Sequence, residues 1–224
     1  MELVPGVYSA PQTIDREGVE NTIHPALVET AHGVIAIDVG YPGLLDQFES
    51  NLSDTGHTWD DVWAVLLTHQ DGDHAGSLSA VLERTNAVVM AHERCSPYIT
   101  GEKHPIKAPE GERFPPAPVD LELIGGETFR TTAGPMTVHF TPGHAPGHLV
   151  VSFPAQELLL AADALTADET GLAGPSEEYT LNMEEALESA ASLADLNFSQ
   201  VLCYHGGLVE ATGDDIRDIV AGMT

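Results

Sequence analysis

The stretch Thr68-His69-Gln70-Asp71-Gly72-Asp73-His74 places four side chains that can bind a metal ion within six residues. It follows the apolar run Val62-Trp63-Ala64-Val65-Leu66-Leu67, a pattern typical of a strand buried on both faces. The cluster therefore stands at the carboxyl end of a predicted central strand. By itself such a cluster is either a metal site or a solvated polar turn. An EF-hand is excluded, because its further oxygen ligands would have to fall at Ala75 and Leu82.

The segments around this strand alternate between strand and helix patterns. Residues 19–40 predict two strands joined by a turn near His32, and residues 44–52 carry apolar side chains at helical spacing. Beyond the cluster, residues 76–83 predict a helix and residues 87–90 predict another buried strand. This alternation is typical of βαβ units in an α/β domain.

The second half of the chain is predicted to contain mainly short strands. Residues 95–118 include six prolines and two glycines, so they predict a surface loop that is a candidate wall of a pocket. Residues 119–161 predict five short strands, which we interpret as an antiparallel meander. A helix that begins after Asn182, a strand at 201–204 and a helix at 214–223 complete the expected order.

The charge of the chain excludes several classes of function. The 224 residues include 35 acidic and 8 basic ones, and only Lys103 and Lys107 are lysines, so the formal net charge is −27. A surface of this sign repels nucleic-acid phosphates and anionic lipids, so we expect no nucleic acid and no membrane as a partner. The acidic residues are spread along the chain, which favours adaptation to salt over an acidic docking face. Molar salt shortens the Debye length to about 3 Å and screens self-repulsion, so the composition predicts a halophilic source.

The sequence also predicts the compartment and the number of domains. No apolar run approaches the roughly 18 residues that a membrane span requires, and the first residues contain neither a basic nor an apolar leader. Cys95 and Cys203 are too few for a disulfide framework and fit a reducing compartment. We therefore expect a cytoplasmic protein with one domain over residues 1–224, a length that is ordinary for a single large domain.

Three further segments each place one metal-binding residue at the end of a predicted strand. His144 lies in a turn stiffened by glycine and proline, Asp163 ends an apolar run, and His205 precedes two glycines. The order along the chain is the cluster, then His, Asp and His. Chance does not readily produce this order, which favours a metal site over a polar turn at residues 68–74.

In these residues the sequence resembles the metallo-β-lactamase-fold superfamily, in particular its glyoxalase-II-like and lactonase-like single-domain hydrolases, over nearly the whole chain. The resemblance implies an α/β fold of the αβ/βα four-layer sandwich type, with two mixed sheets between outer helices and the metals at one sheet edge. It also implies two divalent metal ions as cofactors. Their ligands would be His69, Asp71 and His144 at the first site, Asp73, His74 and His205 at the second site, and Asp163 bridging both.

Two metal ions about 3.5–4 Å apart can hold a hydroxide, because metal binding lowers the pKa of water from about 15.7 towards 7. Asp73 is then the candidate catalytic residue, which would orient the hydroxide and accept its proton. His148, which follows four residues after His144, is a candidate to support the ligands. The remaining histidines are not expected to contact metal or substrate; they are His24, His32, His57, His92, His104 and His139.

Asp71 departs from the motif His-x-His-x-Asp-His that is common in the superfamily, because a histidine usually stands at this position. A carboxylate is a harder ligand than an imidazole and adds negative charge, which favours iron or manganese relative to zinc. The sequence therefore leaves zinc, iron and manganese open as the metal, with zinc disfavoured.

The leading hypothesis is a metallohydrolase that cleaves an ester, thioester or lactone in a small-molecule substrate. The alternative is a non-haem iron oxidoreductase of the same fold, either sulfur dioxygenase-like or diiron, and a third hypothesis is a metal-binding protein without turnover. The 19 residues after His205 (224 minus 205) are too few for the flavodoxin domain of diiron enzymes or the helical domain of glyoxalase II. A glutathione thioester is therefore not expected as substrate, and the oligomeric state stays open.

Overall fold

The computed structural model describes residues 1–16 and 18–223. In chain order the strands are β1 (Glu2–Val4), β2 (Val7–Ser9), β3 (Gln12–Arg16), β4 (Val19–Ile23), β5 (Ala26–Thr30), β6 (Gly33–Ile37), β7 (Val62–Leu67), β8 (Val88–His92), β9 (Leu121–Leu123), β10 (Thr128–Thr131), β11 (Gly134–Phe140), β12 (Leu149–Phe153), β13 (Leu158–Ala162), β14 (Thr166–Asp168), β15 (Gly171–Ala173), β16 (Gln200–Cys203) and β17 (Gly207–Glu210). The helices are α1 (Leu45–Asp54), α2 (Gly72–Ala75), α3 (Leu78–Leu82), α4 (Ser96–Ile99), α5 (Met183–Leu193) and α6 (Gly213–Met223). Single turns of 3-10 helix lie at Trp59–Asp61 and Pro154–Gln156.

Two mixed sheets form the body of the protein. The first has seven strands in the order β1-β2-β5-β6-β7-β8-β9, and its strands run parallel from β6 to β9. The second has six strands in the order β10-β11-β12-β13-β16-β17, in which only β13 and β16 pair in parallel. Strands β3 with β4 and β14 with β15 form two separate hairpins. The predicted pair of mixed sheets is therefore present.

The apolar core is layered, and β7 shows why. Successive side chains of a strand point to opposite faces. Ala64 and Leu66 accordingly pack between the two sheets, whereas Val65 and Leu67 pack towards α1, where Phe48 is fully buried. Burying one such aliphatic side chain stabilises the fold by about 1.5–3 kcal/mol.

The outer face of the second sheet forms a further core with the C-terminal helices. Leu159 and Ala161 of β13 pack with Ala190 and Leu193 of α5, and Ile216 of α6 belongs to the same cluster. The layers are thus helices, sheet, sheet and helices, as the family resemblance implied.

Several boundaries were predicted from local patterns. The bounds of β7 agree with the prediction, and α5 begins after Asn182, whose side chain accepts a hydrogen bond from the backbone N–H of Glu185. The expected helix at 76–83 is a shorter helix, α3, preceded by the single turn α2.

The antiparallel meander predicted for residues 119–161 was wrong at its first strand. Strand β9 belongs to the first sheet and pairs in parallel with β8, so that Met90 lies opposite Leu121. The intervening segment is long enough for the crossover that parallel strands need. This segment, predicted as loop, also contains the short helix α4.

Residues 19–40 were predicted to form two strands, but they form three, which are β4, β5 and β6. The first part divides into β4 and β5 at His24 and Pro25, where proline has no N–H to continue a strand ladder. Strand β4 pairs with β3, and β5 pairs with β2 and β6.

Two further predictions concern cysteines and membrane helices. Cys95 and Cys203 are buried and free, so the two cysteines form no disulfide framework, as predicted. Within residues 1–16 and 18–223, every helix is too short or too polar to cross a bilayer.

Candidate metal centre

The predicted ligands follow the ends of three buried strands, except His144, which lies in a turn. Strand β7 ends at Leu67, and the single-turn helix α2 begins at Gly72 directly after Asp71, whose backbone is extended (φ −67°, ψ 152°). His144 lies between β11 and β12. Asp163 directly follows β13, and His205 follows β16 at a position where it forms an isolated β-bridge with Ile23.

The residues expected at the first site lie close together. Oδ2 of Asp71 is 3.3 Å from Nε2 of His69 and 3.3 Å from Nε2 of His144. One potential ligand atom from each of the three residues lies within 4.8 Å of the others. Both imidazoles are buried, so the group can bind a metal ion without much competition from water.

The residues expected at the second site form a similar group. Oδ2 of Asp73 is 3.2 Å from Nε2 of His205 and 3.7 Å from Nε2 of His74. One potential ligand atom from each of these three residues likewise lies within 4.8 Å of the other two. The sequence separation of His74 and His205 means that the group exists only in the folded chain.

Asp163 lies between the two groups. Its Oδ2 is 3.2 Å from Nε2 of His144 and 3.6 Å from Nε2 of His205, and its Oδ1 is 3.4 Å from Nε2 of His74. One carboxylate therefore contacts imidazoles of both groups, which is the position that a bridging ligand requires.

Three polar atoms of this centre test whether metal ions fit it. Nε2 of His69, Nε2 of His74 and Oδ1 of Asp163 are buried, and their contacts at 3.3–3.4 Å with other atoms of the centre lack the geometry of a hydrogen bond. Leaving a buried polar group unsatisfied costs about 1–3 kcal/mol. Divalent cations bound at the two groups would satisfy all three, and imidazole nitrogens with carboxylate oxygens are an ordinary ligand set for zinc, iron or manganese. The residues thus fit metal binding.

The charges of the centre suit the same role. Burial by itself would raise the pKa of Asp163, but the neighbouring imidazoles of His74 and His205 outweigh burial and hold the pKa well below its usual range. Burial opposes ionisation of Asp71 in the same way, and His69 and His144 again hold its pKa well below the usual range. Both carboxylates are therefore anionic at neutral pH.

Asp38 supports His74 and was not predicted as a site residue. It is buried and follows β6, and its Oδ2 lies 2.8 Å from Nδ1 of His74. The backbone N–H and the hydroxyl of Thr68 also donate to its carboxylate, at 2.8 and 2.7 Å. The backbone of Asp38 is left-handed (φ 60°), a strained conformation that aspartate tolerates better than most residues. The sequence signal that could have indicated Asp38 is its position directly after the apolar strand that begins at Val34.

Tyr204 and His148 contact the candidate ligands without belonging to either group. The ring of Tyr204 stacks on His74 with centroids 3.7 Å apart, and its hydroxyl donates to the backbone carbonyl of Asp73. His148 accepts a hydrogen bond at Nε2 from the backbone N–H of Asp163, at 3.1 Å, and its Nδ1 lies 2.8 Å from the hydroxyl of Thr141. His148 therefore contacts a candidate ligand, as its predicted supporting role requires.

Lys107 also reaches the centre, from the proline-rich segment between α4 and β9. Its Nζ lies 2.6 Å from Oδ2 of Asp71 and 2.7 Å from Nε2 of His144. The segment was predicted only as a candidate pocket wall, and the scarcity of lysine was the one signal that could have drawn attention to this residue. None of the six histidines that the sequence analysis set aside belongs, within residues 1–16 and 18–223, to a group of His, Asp, Glu or Cys side chains that could hold a metal ion.

Known proteins resemble this chain in sequence. The family description "Metallo-beta-lactamase superfamily" matches residues 22–205. The probable metallo-hydrolase YflN of Bacillus subtilis (strain 168) is 26% identical, over 89% of this chain and 84% of its own length. The probable metallo-hydrolase YybB of the same organism is 30% identical, over 64% of each chain. A hydroxyacylglutathione hydrolase of Cereibacter sphaeroides is 32% identical over 46% of this chain, which spans about a third (34%) of that protein.

Solved structures resemble it in fold. The metallo-beta-lactamase family protein TTHA1429 of Thermus thermophilus superposes with a TM-score of 0.77 at 26% identity, over 99% of this chain and 79% of its own. The metallo-beta-lactamase MIM-2 gives a TM-score of 0.72 at 20% identity, over 97% and 84%. These likenesses confirm the predicted fold, and the metallo-hydrolase relatives confirm the predicted class, a metallohydrolase. The chain belongs to the metallo-beta-lactamase superfamily.

Proposed function

We propose that the protein is a metal-dependent hydrolase that cleaves an ester, thioester or lactone in a small molecule. The observation that carries the proposal is the place of Asp163, whose two oxygens lie 3.2–3.6 Å from imidazoles of both ligand groups. A carboxylate so placed serves two adjacent ions. Two divalent ions bound by these residues would supply an activated water at neutral pH and Lewis acidity towards the substrate carbonyl.

The residues of the chain have separate tasks in this proposal. His69, Asp71 and His144 hold one ion, Asp73, His74 and His205 hold the other, and Asp163 joins them. Asp73 also lies at the partly exposed side of the centre, where 17% of its side-chain surface is accessible to solvent. Its pKa is lowered because His74 and His205 outweigh the effect of burial, so Asp73 is ionised and can accept a hydrogen bond from the attacking water.

The nature of the metal follows from Asp71. The first group offers two nitrogens and one carboxylate oxygen in addition to the shared Asp163. Hard oxygen ligands favour iron or manganese relative to zinc. We infer that iron or manganese binds better here than it would in a group of three imidazoles. The free buried cysteines support the further inference that the protein works in a reducing compartment such as the cytoplasm.

The test combines metal content with a substrate panel. We would measure bound metal by elemental analysis and turnover on an aryl ester, an acyl thioester and a lactone, in the wild type and in His144→Ala and His205→Ala. Each substitution should lower metal content and reduce turnover at least 100-fold. His139→Ala is the matched control, because its ring lies 2.7 Å from the hydroxyl of Ser152 and outside the ligand groups.

Two results would contradict the proposal. Equal metal content in all three variants would remove His144 and His205 from the ligand set. Oxygen consumption with a persulfide substrate, without cleavage of any member of the panel, would favour the iron oxidoreductase instead.

A further inference from the structure

The ammonium group of Lys107 lies among the residues of the first ligand group. It is within 2.7 Å of both Asp71 and His144, which are two of the three members of that group. The side chain is mostly buried, with 21% of its surface exposed. Lysine is rare in this chain, since Lys103 is the only other one, and Lys103 lies over the ring of Tyr98 at 5.3 Å.

The contacts are those of a cation that replaces a metal ion. Asp71 gives the ammonium a carboxylate oxygen, and Nε2 of His144 can accept a hydrogen bond from it. These two atoms are the same ones that would bind an ion at the first site. An ammonium group and a divalent ion cannot share them, because both are positive and both need the same lone pairs. Among the described residues, the ion pairs of the second ligand group include no such competitor and involve only Asp73, His74, Asp163 and His205 with the supporting Asp38.

Lys107 can leave without disturbing the fold. It lies in the segment between α4 and β9 and belongs to no strand or helix. Lysine carries its charge on a flexible four-carbon stem, so rotation of the side chain alone can move the ammonium to solvent.

We propose that Lys107 is a built-in competitor for the first metal site, so that the two sites fill in a fixed order. The second site binds its ion first, and an ion enters the first site only when it displaces the ammonium group. Asp71 and Lys107 then form a matched pair, because a neutral imidazole at position 71 would not attract the ammonium. This inference rests on the metal centre of the proposed function and adds regulation of that centre by metal concentration.

The test is a metal titration that does not depend on activity. Chelator-treated protein would be titrated calorimetrically with manganese and, separately, with zinc ions. The proteins compared are the wild type, Lys107→Met and Lys103→Met, because methionine keeps most of the length of the stem and removes the charge. We expect two binding steps in the wild type, and in Lys107→Met a second step at least 10-fold tighter with the first step unchanged. Lys103→Met should bind like the wild type.

A second readout follows the side chain itself. Trypsin cleaves after lysine, so saturation with metal should speed cleavage after Lys107 relative to cleavage after Arg113 in the same segment.

The outcomes separate this inference from the proposed function. Binding that is equal within twofold in the wild type and Lys107→Met overturns the competitor and leaves the metal centre intact. Failure of every variant to bind either ion overturns both. Binding of two ions by Lys107→Met and of one by the wild type supports the competitor in its strongest form.

Discussion

Oδ2 of Asp38 lies 2.8 Å from Nδ1 of His74, and this contact leaves Nε2 of the same ring for the metal centre. An ionised carboxylate only accepts hydrogen bonds, so the pair fixes the tautomer in which Nδ1 carries the proton. Partners of this kind orient a ligand and raise its basicity. Asp38 would thus act, through His74, on a metal bound at the second group.

Asp38→Asn should therefore lower metal affinity about 10- to 100-fold. Both oxygens of Asp38 accept hydrogen bonds, from Thr68 and from His74, and the amide of asparagine can replace only one of them. Asparagine tolerates the left-handed backbone at this position, so the fold should survive. Competition with a chromophoric chelator measures the affinity, and Asp60→Asn at an exposed position is the control. Equal affinity in Asp38→Asn and wild type would show that His74 needs no such support.

Asp71→His should move metal preference towards zinc. The substitution gives the first group three imidazoles and removes one negative charge, while Asp163 stays in place. Borderline-soft nitrogen replaces hard oxygen, so zinc gains relative to iron and manganese. Competition dialysis against equal concentrations of zinc, manganese and ferrous ions gives the ratio for each protein. An unchanged ratio would mean that Asp71 is not a ligand.

His139 should make the fold less stable in mild acid. Burial lowers the pKa of this ring below the 6.5 of a free histidine. As the pH falls through 6.5 the unfolded chain takes up the proton first, so the stability that the neutral ring contributes at higher pH is lost. In denaturant titrations of chelator-treated protein, His139→Gln should lose less stability than the wild type between pH 7 and pH 5.

Ser152→Ala distinguishes burial from hydrogen bonding as the cause. It removes the hydroxyl that lies 2.7 Å from Nε2 of His139 but leaves the ring in place. Because burial is the cause of the shift, this variant should keep the pH dependence of the wild type. A flat profile in Ser152→Ala would assign the effect to the hydroxyl.

The stability of the fold should rise with salt concentration. The formal net charge is −27, and exposed carboxylates repel one another most strongly in dilute buffer. Between dilute buffer and molar potassium chloride we expect the melting temperature to increase by several degrees, since about 1 kcal/mol corresponds to roughly 2–4 °C at this size. Circular dichroism during heating provides the measurement. A melting curve that does not change with salt would remove the evidence for a halophilic source.

Features with local causes were predictable from the sequence. The apolar run of β7 and the capping side chain of Asn182 depend on neighbouring residues, so their patterns are visible in a short window. The candidate metal-binding residues were also visible, because they follow recognisable strands or lie in a turn. The resemblance to a known family then joined these segments into one centre.

Features that depend on distant parts of the chain were not predictable. The partner of β9 is β8, but the pattern of β9 suits an antiparallel neighbour equally well. Asp38 and Lys107 reach the centre across 36 residues each, to His74 and Asp71 respectively. Their neighbouring residues carry no pattern that indicates these contacts, because a single polar side chain in a loop has many possible partners.

The bridge between Ile23 and His205 can form only late during synthesis of the chain. His205 emerges 136 residues (205 minus 69) after His69, so at ribosomal speeds of about 5–20 residues per second it follows by roughly 7–27 s. During that interval the hairpin of β3 and β4 lacks the bridge from Ile23 to His205, and the nascent chain contains only part of the candidate ligand set. A metal centre built from these residues can therefore be complete only after residue 205 has been synthesised and has folded against the rest of the chain.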